Sequence, residues 1–339
     1  MLKFGLFDHL DGNGLPLGQF FEDRLRLIAL AEKMGFSAYH IAEHHATPLG
    51  HAPSPSVFLA AAFARTLRIR IGPLVYVLPL HHPLRLYEEI CMLDHLSGGR
   101  LMLGVGRGGA LVEHARYGVD PKAAPAMYHE AFAVLMRAFE SDVLDFDGQF
   151  FKYRDYVVQA KPVQRPHPPL WYGAPNADAI AWAAPRAVNV VSLGPAERAR
   201  AIAERYRGEW NALGRPPETL PMIGITRHIV VAETDEKAKA IAHAAYPRWR
   251  AAMEFLWRRA NQDFMLAAIY PQNFDALAKI GHGIAGAPPT VRAYLENLQR
   301  QTGVNYMIGQ MVFGDMKFDD ATRSLRLFAH EVIPALDSR

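Results

Sequence analysis

A short apolar run that begins at Leu101 ends in a glycine-rich turn. The sequence reads Leu-Met-Leu-Gly-Val-Gly-Arg-Gly-Gly, and Arg107 is its one charged residue. Glycines let backbone N–H groups crowd around an anion, and a guanidinium can bind the same anion through two parallel hydrogen bonds. The spacing Gly104-x-Gly106-x-x-Gly109 is that of the dinucleotide-binding fingerprint, but the acidic ribose ligand expected about twenty residues further on is hard to place. The turn therefore predicts a site for a mononucleotide phosphate rather than for NAD.

Imidazole side chains follow directly after several predicted strands. They belong to His9, His44, His45, His81 and His82. The carboxyl ends of parallel strands meet at one face of an α/β fold, so these histidines are available there as general acids or bases near neutral pH. A second interpretation stays open, in which each histidine bonds to the backbone of its own loop.

A metal site and a nucleophilic hydrolase are both disfavoured. His44 and His45 are adjacent, so they point to opposite sides of an extended chain, and no His-Glu-x-x-His sequence occurs. Cys91 lies in an apolar helical stretch, no Gly-x-Ser-x-Gly elbow is present, and Ser54 and Ser56 stand between prolines. These patterns favour a protein that binds a phosphorylated cofactor and lets the cofactor do the difficult chemistry.

The composition sets further limits on function. The 339 residues are half apolar and carry a formal net charge of +3, with Lys and Arg spread along the chain. This distribution disfavours nucleic acid or a membrane surface as partner, and no run of about eighteen apolar residues predicts a membrane span. A strand-like segment follows Met1 at once, with no export signal, and the single cysteine excludes a disulfide framework. We therefore expect a soluble cytoplasmic protein.

Short apolar segments alternate with longer amphipathic ones, which is typical of repeated β-α units. Eight segments are predicted as strands: Leu2–Phe7, Ala38–Ile41, Arg70–Val75, Leu101–Val105, Leu170–Tyr172, Val188–Val191, Ile223–Ala232 and Tyr306–Phe313. Such a pattern predicts an α/β fold, a (β/α)8 TIM barrel with insertions at the C-terminal mouth, as a single domain over residues 1–339. An open doubly wound sheet is the competing architecture.

Two stretches interrupt this alternation. Residues 142–154 contain an Asp-Gly turn between aromatic and β-branched residues, which predicts a hairpin insertion. Residues 246–289 end in a segment rich in glycine and proline and are interpreted as a mobile excursion over the barrel mouth.

Several stretches of the sequence carry a family pattern in a fixed order. They are Ala42–His45, Val77–Arg85, Leu93–Arg100 with Leu103–Gly108, Phe146–Gly148, and Arg323–Phe328 with Glu331–Pro334. In this order and spacing they resemble the bacterial luciferase-like flavin-dependent monooxygenases, and they run from end to end of the chain.

The resemblance implies a (β/α)8 barrel, commonly a homodimer, that binds reduced FMN at its C-terminal mouth. A smaller branch of the family uses the deazaflavin F420. Carried onto this chain, the pattern implies that Arg107 and the N–H groups near Gly106 and Gly108 hold the flavin phosphate. Asn176 would be the side-chain donor of a second phosphate loop. Hydroxyl residues common in that loop are absent here, which leaves the N–H groups of the next helix to compensate.

Further positions around the flavin ring follow from the same resemblance. Leu74 and Val75 match the place where the family often has a non-prolyl cis peptide beneath the ring. His44 matches the family's catalytic histidine, and Ser192 falls near the expected ring edge. Four aromatic side chains are expected to keep the pocket dry: Phe7, Tyr76, Tyr128 and Trp171.

His228 aligns with a site histidine of the alkanesulfonate branch, which makes it a second catalytic candidate. That branch has an arginine two residues earlier, where this chain has Thr226. A neutral substrate is therefore favoured over a sulfonate.

The activity that the resemblance implies is oxygenation of a small, neutral organic substrate by O2, through a peroxyflavin formed on reduced FMN. No acidic ribose ligand completes an NAD fingerprint, so reduced FMN would arrive as a co-substrate from a separate NAD(P)H:flavin reductase. Two alternatives are an F420-dependent dehydrogenase that transfers hydride and a non-catalytic flavin-binding or luciferase-subunit-like protein.

Overall fold

Parallel strands pair edge to edge around a central core in the computed structural model, which describes residues 2–337. The strands are β1 (Lys3–Asp8), β2 (Ala38–Ile41), β3 (Arg70–Pro73), β4 (Tyr76–Val77), β5 (Leu103–Gly106), β6 (Val143–Asp147), β7 (Lys152–Val157), β8 (Leu170–Gly173), β9 (Asn189–Ser192), β10 (Ile223–Val231), β11 (Gly283–Gly286) and β12 (Tyr306–Gln310). The order β3-β2-β1-β12-β10-β9-β8-β5-β4 runs around the core, and a parallel bridge between Ile71 and Leu101 closes the circle. The fold is the (β/α)8 barrel that the sequence predicts.

Helices follow the strands along the chain and cover the outside of the barrel. They are α1 (Leu17–Lys33), α2 (Pro55–Ala64), α3 (Pro83–Ser97), α4 (Leu111–Arg116), α5 (Ala124–Glu140), α6 (Ile180–Ala183), α7 (Ala196–Ala212), α8 (Asp235–Arg259), α9 (Phe274–Lys279), α10 (Pro288–Thr302), α11 (Phe318–Leu327) and α12 (Ile333–Asp337). Among residues 2–337, no helix is long and apolar enough to cross a membrane.

All eight predicted strands form, and two short strands join them. The strand predicted over Arg70–Val75 ends at Pro73 as β3, which pairs with β2. A cis peptide between Leu74 and Val75 follows, and the chain then forms β4, which pairs with β5. The outer half of β10 pairs with β11, whereas its inner half pairs with β9 and β12. The barrel thus uses β1, β2, β3, β5, β8, β9, β10 and β12, and β11 is an addition at the mouth.

Large side chains fill the barrel below its mouth. His40, Trp171 and Tyr306 lie there, and each is at most 1% exposed. His40 Nε2 is 2.9 Å from the Tyr306 hydroxyl, and Trp171 packs against the His40 ring with centroids 4.6 Å apart. Burial lowers the pKa of His40 to about 3, so this imidazole is neutral. The interior is therefore a packed floor for the mouth and not a channel.

The hairpin predicted at 142–154 is formed by β6 and β7, which pair antiparallel around the turn at Asp147 and Gly148. Glu130 of α5 accepts hydrogen bonds from the backbone N–H groups of residues 149–151 at 2.6–2.9 Å. The hairpin is thereby anchored to α5, outside the barrel.

The segment 246–289 has regular structure over much of its length. It contains the second half of α8, helix α9 and strand β11. Pro247 lies inside α8, where a proline removes one helical hydrogen bond, but Tyr246 and Trp249 are fully buried beside it. Tertiary packing offsets the helix-breaking signal, so α8 continues through Pro247, and the mobility expected of this segment stays a prediction.

Candidate active site at the barrel mouth

A cavity of about 430 Å³ opens at the C-terminal ends of the barrel strands. The ends of β1, β2, β5 and β8 supply one side of it, and α8 with the residues that follow supplies the other. The carboxyl end of a parallel barrel is where active sites lie in this architecture. The cavity is therefore the candidate active site.

The glycine-rich turn places Arg107 at this cavity. Its guanidinium is exposed, and within residues 2–337 it has no hydrogen-bond or ion-pair partner. A Cβ at Gly104 would lie 2.0 Å from Pro73 O, and one at Gly106 would lie 2.4 Å from Val75 Cγ2. These two glycines let β5 pass close to the neighbouring strand, whereas Gly108, with a φ of +85°, shapes the turn itself. The spacing thus reflects strand packing as well as an anion site.

Leu74 and Val75 form part of the cavity wall, and the peptide between them is cis, where the resemblance predicts such a bond. Leu74 N donates to Ile41 O at 2.7 Å, and Val77 N donates to Glu43 Oε2 at 2.9 Å. Hydrogen bonds to the end of β2 and to Glu43 therefore hold this wall on both sides of the cis peptide. A position beneath a flavin ring stays a prediction for Leu74 and Val75.

A buried glutamate orients His44. His44 lines the cavity, and its Nδ1–H donates to Glu113 Oε1 at 3.1 Å. The same carboxylate oxygen accepts from His45 N at 2.9 Å, and the Glu113 side chain is 2% exposed. The next residue of α4, His114, contacts Arg107 O through Nε2 at 2.8 Å. Helix α4 therefore connects the histidine to the loop that carries the arginine.

Glu43 is a second buried carboxylate at the mouth, and it binds two histidines of the rim, neither of which lines the cavity. His45 Nε2 donates to it at 2.8 Å and His81 Nε2 at 2.9 Å. Burial alone would raise the pKa of Glu43, but the hydrogen bonds from His45, His81 and Val77 N hold it below its ordinary value. Glu43 is therefore an ionised anchor for the loops after β2 and β4.

His9 lines the cavity from the end of β1, beside His44. The two rings are nearly parallel, with centroids 5.8 Å apart. Trp249 Nε1 donates to His9 Nδ1 at 3.3 Å. Burial, together with nearby His44 and His228, lowers the pKa of His9 well below its ordinary value. His9 is therefore a neutral imidazole on the cavity wall.

The structure does not bring His228 to the cavity surface. Its ring packs against Trp249 and Phe313, with centroids 4.4 Å and 5.0 Å away, and the residue is 1% exposed. Burial, with His282 and Arg227 nearby, lowers the pKa of His228 to about 3. A general acid or base must reach the reacting atoms, and an enclosed aromatic setting withholds His228 from them.

Asn176 also lies away from the cavity lining. Its Oδ1 accepts from Ala179 N at 3.3 Å, so the side chain caps the helical turn that leads into α6. Gly173 and Pro175 line the cavity in its place. The loop after β8 therefore borders the cavity through Gly173 and Pro175, and its contact with a phosphate stays a prediction.

Ser192 faces the outside of the barrel. Its hydroxyl accepts from Gly194 N at 3.2 Å, and the residue is fully buried. Successive residues of a strand point to opposite faces, and the inward position belongs to Val191, which packs in the barrel interior and lines the cavity. The wall near the predicted ring edge is thus apolar.

The far wall of the cavity is formed by α8 and the residues after it. Its lining residues are Met253, Trp257, Leu266 and Tyr270. Arg250 Nε donates to Tyr270 O at 2.6 Å, and the guanidinium lies over the Phe264 ring at 4.2 Å, which ties this stretch to α8. Of the four aromatic residues expected to dry the pocket, Phe7 and Tyr128 line it, and Tyr76 and Trp171 are buried in the core.

Glu43 and Glu113 are site residues to which the sequence interpretation gave no role. Glu43 stands beside His44 in the Ala-Glu-His-His stretch, which is a signal that could have found it. Glu113 is 69 residues from His44 in the chain, so its contact with that ring comes from tertiary structure alone.

Comparison with known proteins places these features in a family. The family model described as "Luciferase-like monooxygenase" matches residues 2–305. An uncharacterised protein of Sinorhizobium fredii is 39% identical over 318 residues, which are 94% of this chain and 92% of that one. The flavin-dependent trigonelline monooxygenase, oxygenase component, of Acinetobacter baylyi is 27% identical over 71% of this chain and 68% of its own.

Solved structures share the whole fold. The monooxygenase RslO1 of Streptomyces bottropensis has a TM-score of 0.84 and 27% identity, with 99% of this chain and 100% of that chain covered. The oxygenating constituent of 3,6-diketocamphane monooxygenase of Pseudomonas putida, in complex with FMN, has a TM-score of 0.78 at 21% identity, with 98% of each chain covered. The F420-dependent tetrahydromethanopterin reductase of Methanopyrus kandleri has a TM-score of 0.72 at 20% identity, covering 98% of this chain and 99% of that one. With its barrel, its cis peptide and a family match over most of its length, this chain belongs to the luciferase-like monooxygenase family.

Proposed function

We propose that the protein is a monooxygenase that uses reduced FMN and O2 to oxygenate a small, uncharged organic substrate. The observation that carries the proposal is the presence, on one largely apolar cavity, of an unpartnered arginine and a histidine bound to a buried carboxylate, Arg107 and His44. The relatives and structures named as monooxygenases support it, because they share the family and the fold.

The residues at the cavity fit FMN. Arg107 is free to bind the phosphate, with Gly106 and Gly108 beside it and the loop at Gly173 and Pro175 nearby. The apolar walls suit a flat ring system. Bound reduced FMN would supply the electrons that activate O2, and the protein would supply binding, orientation and a dry environment.

His44 is the residue best placed to move a proton. Because Nδ1–H donates to Glu113, the lone pair of the neutral ring is on Nε2, the nitrogen that is left for the cavity. Such an imidazole accepts a proton at Nε2 and returns it, and the carboxylate of Glu113 stabilises the protonated ring. Met253 and Trp257 exclude water from the opposite side.

An F420-dependent dehydrogenase is the second candidate, because an F420-dependent reductase shares the fold. The acidic tail of F420 requires several cations at the mouth. Among the described residues that line the cavity, Arg107 is the single arginine or lysine. One guanidinium matches the one phosphate of FMN better than a polyanionic tail.

We also propose that a separate NAD(P)H:flavin reductase supplies the reduced FMN. A relative is named as an oxygenase component. About twenty residues after the glycine-rich turn this chain is inside α5, so no acidic residue at a strand end completes an NAD fingerprint there. A homodimer is proposed as well. The neighbouring helices α2 and α3 leave Val57, Met92 and Leu96 exposed, and exposed apolar side chains on adjacent helices support a contact between chains.

The test of the cofactor is an anaerobic titration with reduced FMN, reduced riboflavin and reduced F420, followed by quenching of tryptophan fluorescence. Arg107→Met should weaken the binding of reduced FMN about 10- to 100-fold, because it removes a charged hydrogen bond, and should leave riboflavin unaffected. Arg116→Met, at an exposed position of α4 outside the cavity lining, is the matched control. Tighter binding of F420 would move the assignment to hydride transfer, and binding of none of the three would contradict the proposal.

A further inference from the structure

One hydrogen bond fixes which nitrogen of His9 carries its proton. The Nε1–H of Trp249 is 3.3 Å from His9 Nδ1, and an indole nitrogen can only donate. His9 Nδ1 must therefore accept, and the proton of the neutral ring is on Nε2. Within the part of the chain that the structure describes, no protein group pairs with this Nε2, although His9 lines the cavity. His9 thus offers the cavity an unused N–H donor.

Packing holds the His9 ring in this orientation. Phe7 lies edge-on to it with centroids 4.8 Å apart, and Trp249 lies at 5.5 Å on another side. Burial and the neighbouring histidines lower the pKa of His9, so the ring stays neutral and keeps a single N–H near neutral pH. The donor is therefore fixed in place and uncharged.

His44 presents the opposite polarity a short distance away. Its Nδ1–H is used by Glu113, so its Nε2 is an acceptor. The nearly parallel rings of His9 and His44 have centroids 5.8 Å apart. The cavity thus places one hydrogen-bond donor beside one acceptor, and the two imidazoles have different roles.

Apart from Arg107, which is assigned to the flavin phosphate, the described residues that line the cavity offer a ligand no free counter-charge. Glu43 and Glu113 already accept hydrogen bonds from histidines and backbone N–H groups. The far wall consists of Met253, Trp257 and Leu266 together with the Tyr270 ring. An ion brought here would lose its hydration without a partner, which is unfavourable.

We propose that His9 determines substrate class by donating its Nε2–H to the oxygen of an uncharged, otherwise apolar molecule, such as the carbonyl oxygen of a ketone or an aldehyde. The proposal rests on the proposed function for its biological meaning. The preference for an acceptor oxygen is a binding property of the chain and can be measured without turnover.

The experiment compares ligands that share one rigid cage and differ in a single group. The probes are 2-adamantanone, 2-methyleneadamantane, protonated 2-aminoadamantane and adamantane-2-carboxylate, titrated by anaerobic calorimetry with and without reduced FMN. We expect the ketone to bind about tenfold more tightly than the methylene isostere, because only the ketone accepts a hydrogen bond. With reduced FMN bound, so that its phosphate occupies Arg107, the ammonium and carboxylate probes should bind at least tenfold more weakly than the ketone.

Variants of His9 assign this preference to its N–H group. His9→Phe keeps a flat ring but has no donor, so it should bind ketone and methylene isostere equally, with binding of the isostere within twofold of wild type. His9→Gln restores a side-chain N–H and should recover part of the preference. His51→Phe is the matched control, because His51 contacts the same loop at Gly12 but does not line the cavity.

The outcomes separate this proposal from the cofactor proposal. Equal binding of ketone and isostere by the wild type, or a ketone preference that persists in His9→Phe, would overturn the role of His9 even where reduced FMN binds. Weaker binding of reduced FMN to His9→Phe with the ketone preference intact would overturn it too, and would place the donor on the flavin. Failure of the wild type to bind reduced FMN would count against the proposed function alone, since the ligand series is also run without flavin.

Discussion

Histidines at the rim of the barrel and histidines in the interior beneath it differ in their hydrogen-bond partners and in their pKa values. At the rim, His44, His45 and His81 each donate to a buried glutamate. In the interior, His40 and His228 are enclosed by aromatic side chains, and burial lowers the pKa of each to about 3. Histidine is thus bound to a carboxylate in the first region and packed as a neutral ring in the second.

The carboxylate partner makes this difference. Burial alone would lower the pKa of His81, but its hydrogen bond to Glu43 and the charge of that carboxylate raise it above the ordinary value. His228 has no such partner, and its Nε2 is buried without a hydrogen bond. The presence or absence of a glutamate partner therefore decides whether burial lowers the pKa of a histidine in this region or is offset.

The largest effect is expected at the rim, for His44→Asn. Loss of the proton-transfer group should lower the rate of substrate oxygenation about 10²- to 10⁴-fold, measured by oxygen consumption coupled to product formation with reduced FMN supplied. The dissociation constant of reduced FMN should change less than threefold, because Arg107 and the cavity walls are intact.

Glu113→Gln sharpens this prediction. It keeps the shape of the side chain and an acceptor for Nδ1, but removes the charge that stabilises protonated His44. We expect a smaller loss, about 10- to 100-fold, with a changed pH profile of the rate. A rate unchanged in both variants would remove the distinction between rim and interior.

The next effect is a pH dependence of stability that arises in the interior. Between pH 7 and pH 5 the unfolded chain protonates His228, whose ordinary pKa is about 6.5, while the folded chain, with a pKa of about 3, does not. Because the unfolded state binds more protons in this window, the free energy of unfolding falls as the pH falls. This residue should contribute a loss of about 2 kcal/mol, measured by urea denaturation at the two pH values.

His228→Phe isolates that contribution. Its free energy of unfolding should fall by about 2 kcal/mol less than that of the wild type over the same range, since phenylalanine does not titrate. Asp11 acts in the opposite direction, because burial raises its pKa to about 7, but it is present in both proteins and cancels in the difference. Equal losses in both proteins would show that His228 is not held neutral by the fold.

The smallest effect is expected for Ser192→Ala. The hydroxyl accepts from Gly194 N on the outer face of β9, so its removal should cost about 1 kcal/mol of stability and leave the affinity for reduced FMN within twofold. The measurement is a flavin titration beside a thermal melt. A tenfold loss of flavin affinity would return Ser192 to the site that the resemblance implies.

The sequence was sufficient for the barrel because each strand is a short apolar run between amphipathic segments. Contiguous motifs also pointed to Arg107 and His44, which both line the cavity, and the family resemblance predicted the cis peptide after Leu74. It could not place Glu113 against His44, because that contact joins residues far apart in the chain. It could not show that Gly104 is required by the approach of Pro73 O either, since a glycine in a motif looks the same whether it serves an anion or a neighbouring strand.

Local sequence could not predict the face that Ser192 occupies or the helices and strand within residues 246–289, for other physical reasons. A shift of one residue along a strand reverses the face that a side chain occupies, so a position near a site can point away from it. Pro247 signals a helix end locally, yet α8 continues through it because Trp249 and Tyr246 are packed on the core. In both cases tertiary context decided what local pattern could not.

The added strand β11 has a consequence for how such enzymes diversify. Since β10 pairs directly with β12, the hydrogen-bonded circle of the barrel is complete without the intervening chain. The stretch from Asp235 to Gly286 is therefore a module inserted between two adjacent strands, and it carries the far wall of the cavity. A change in this module would alter the far wall of the cavity without moving Arg107 or His44, which lie on the opposite half of the barrel.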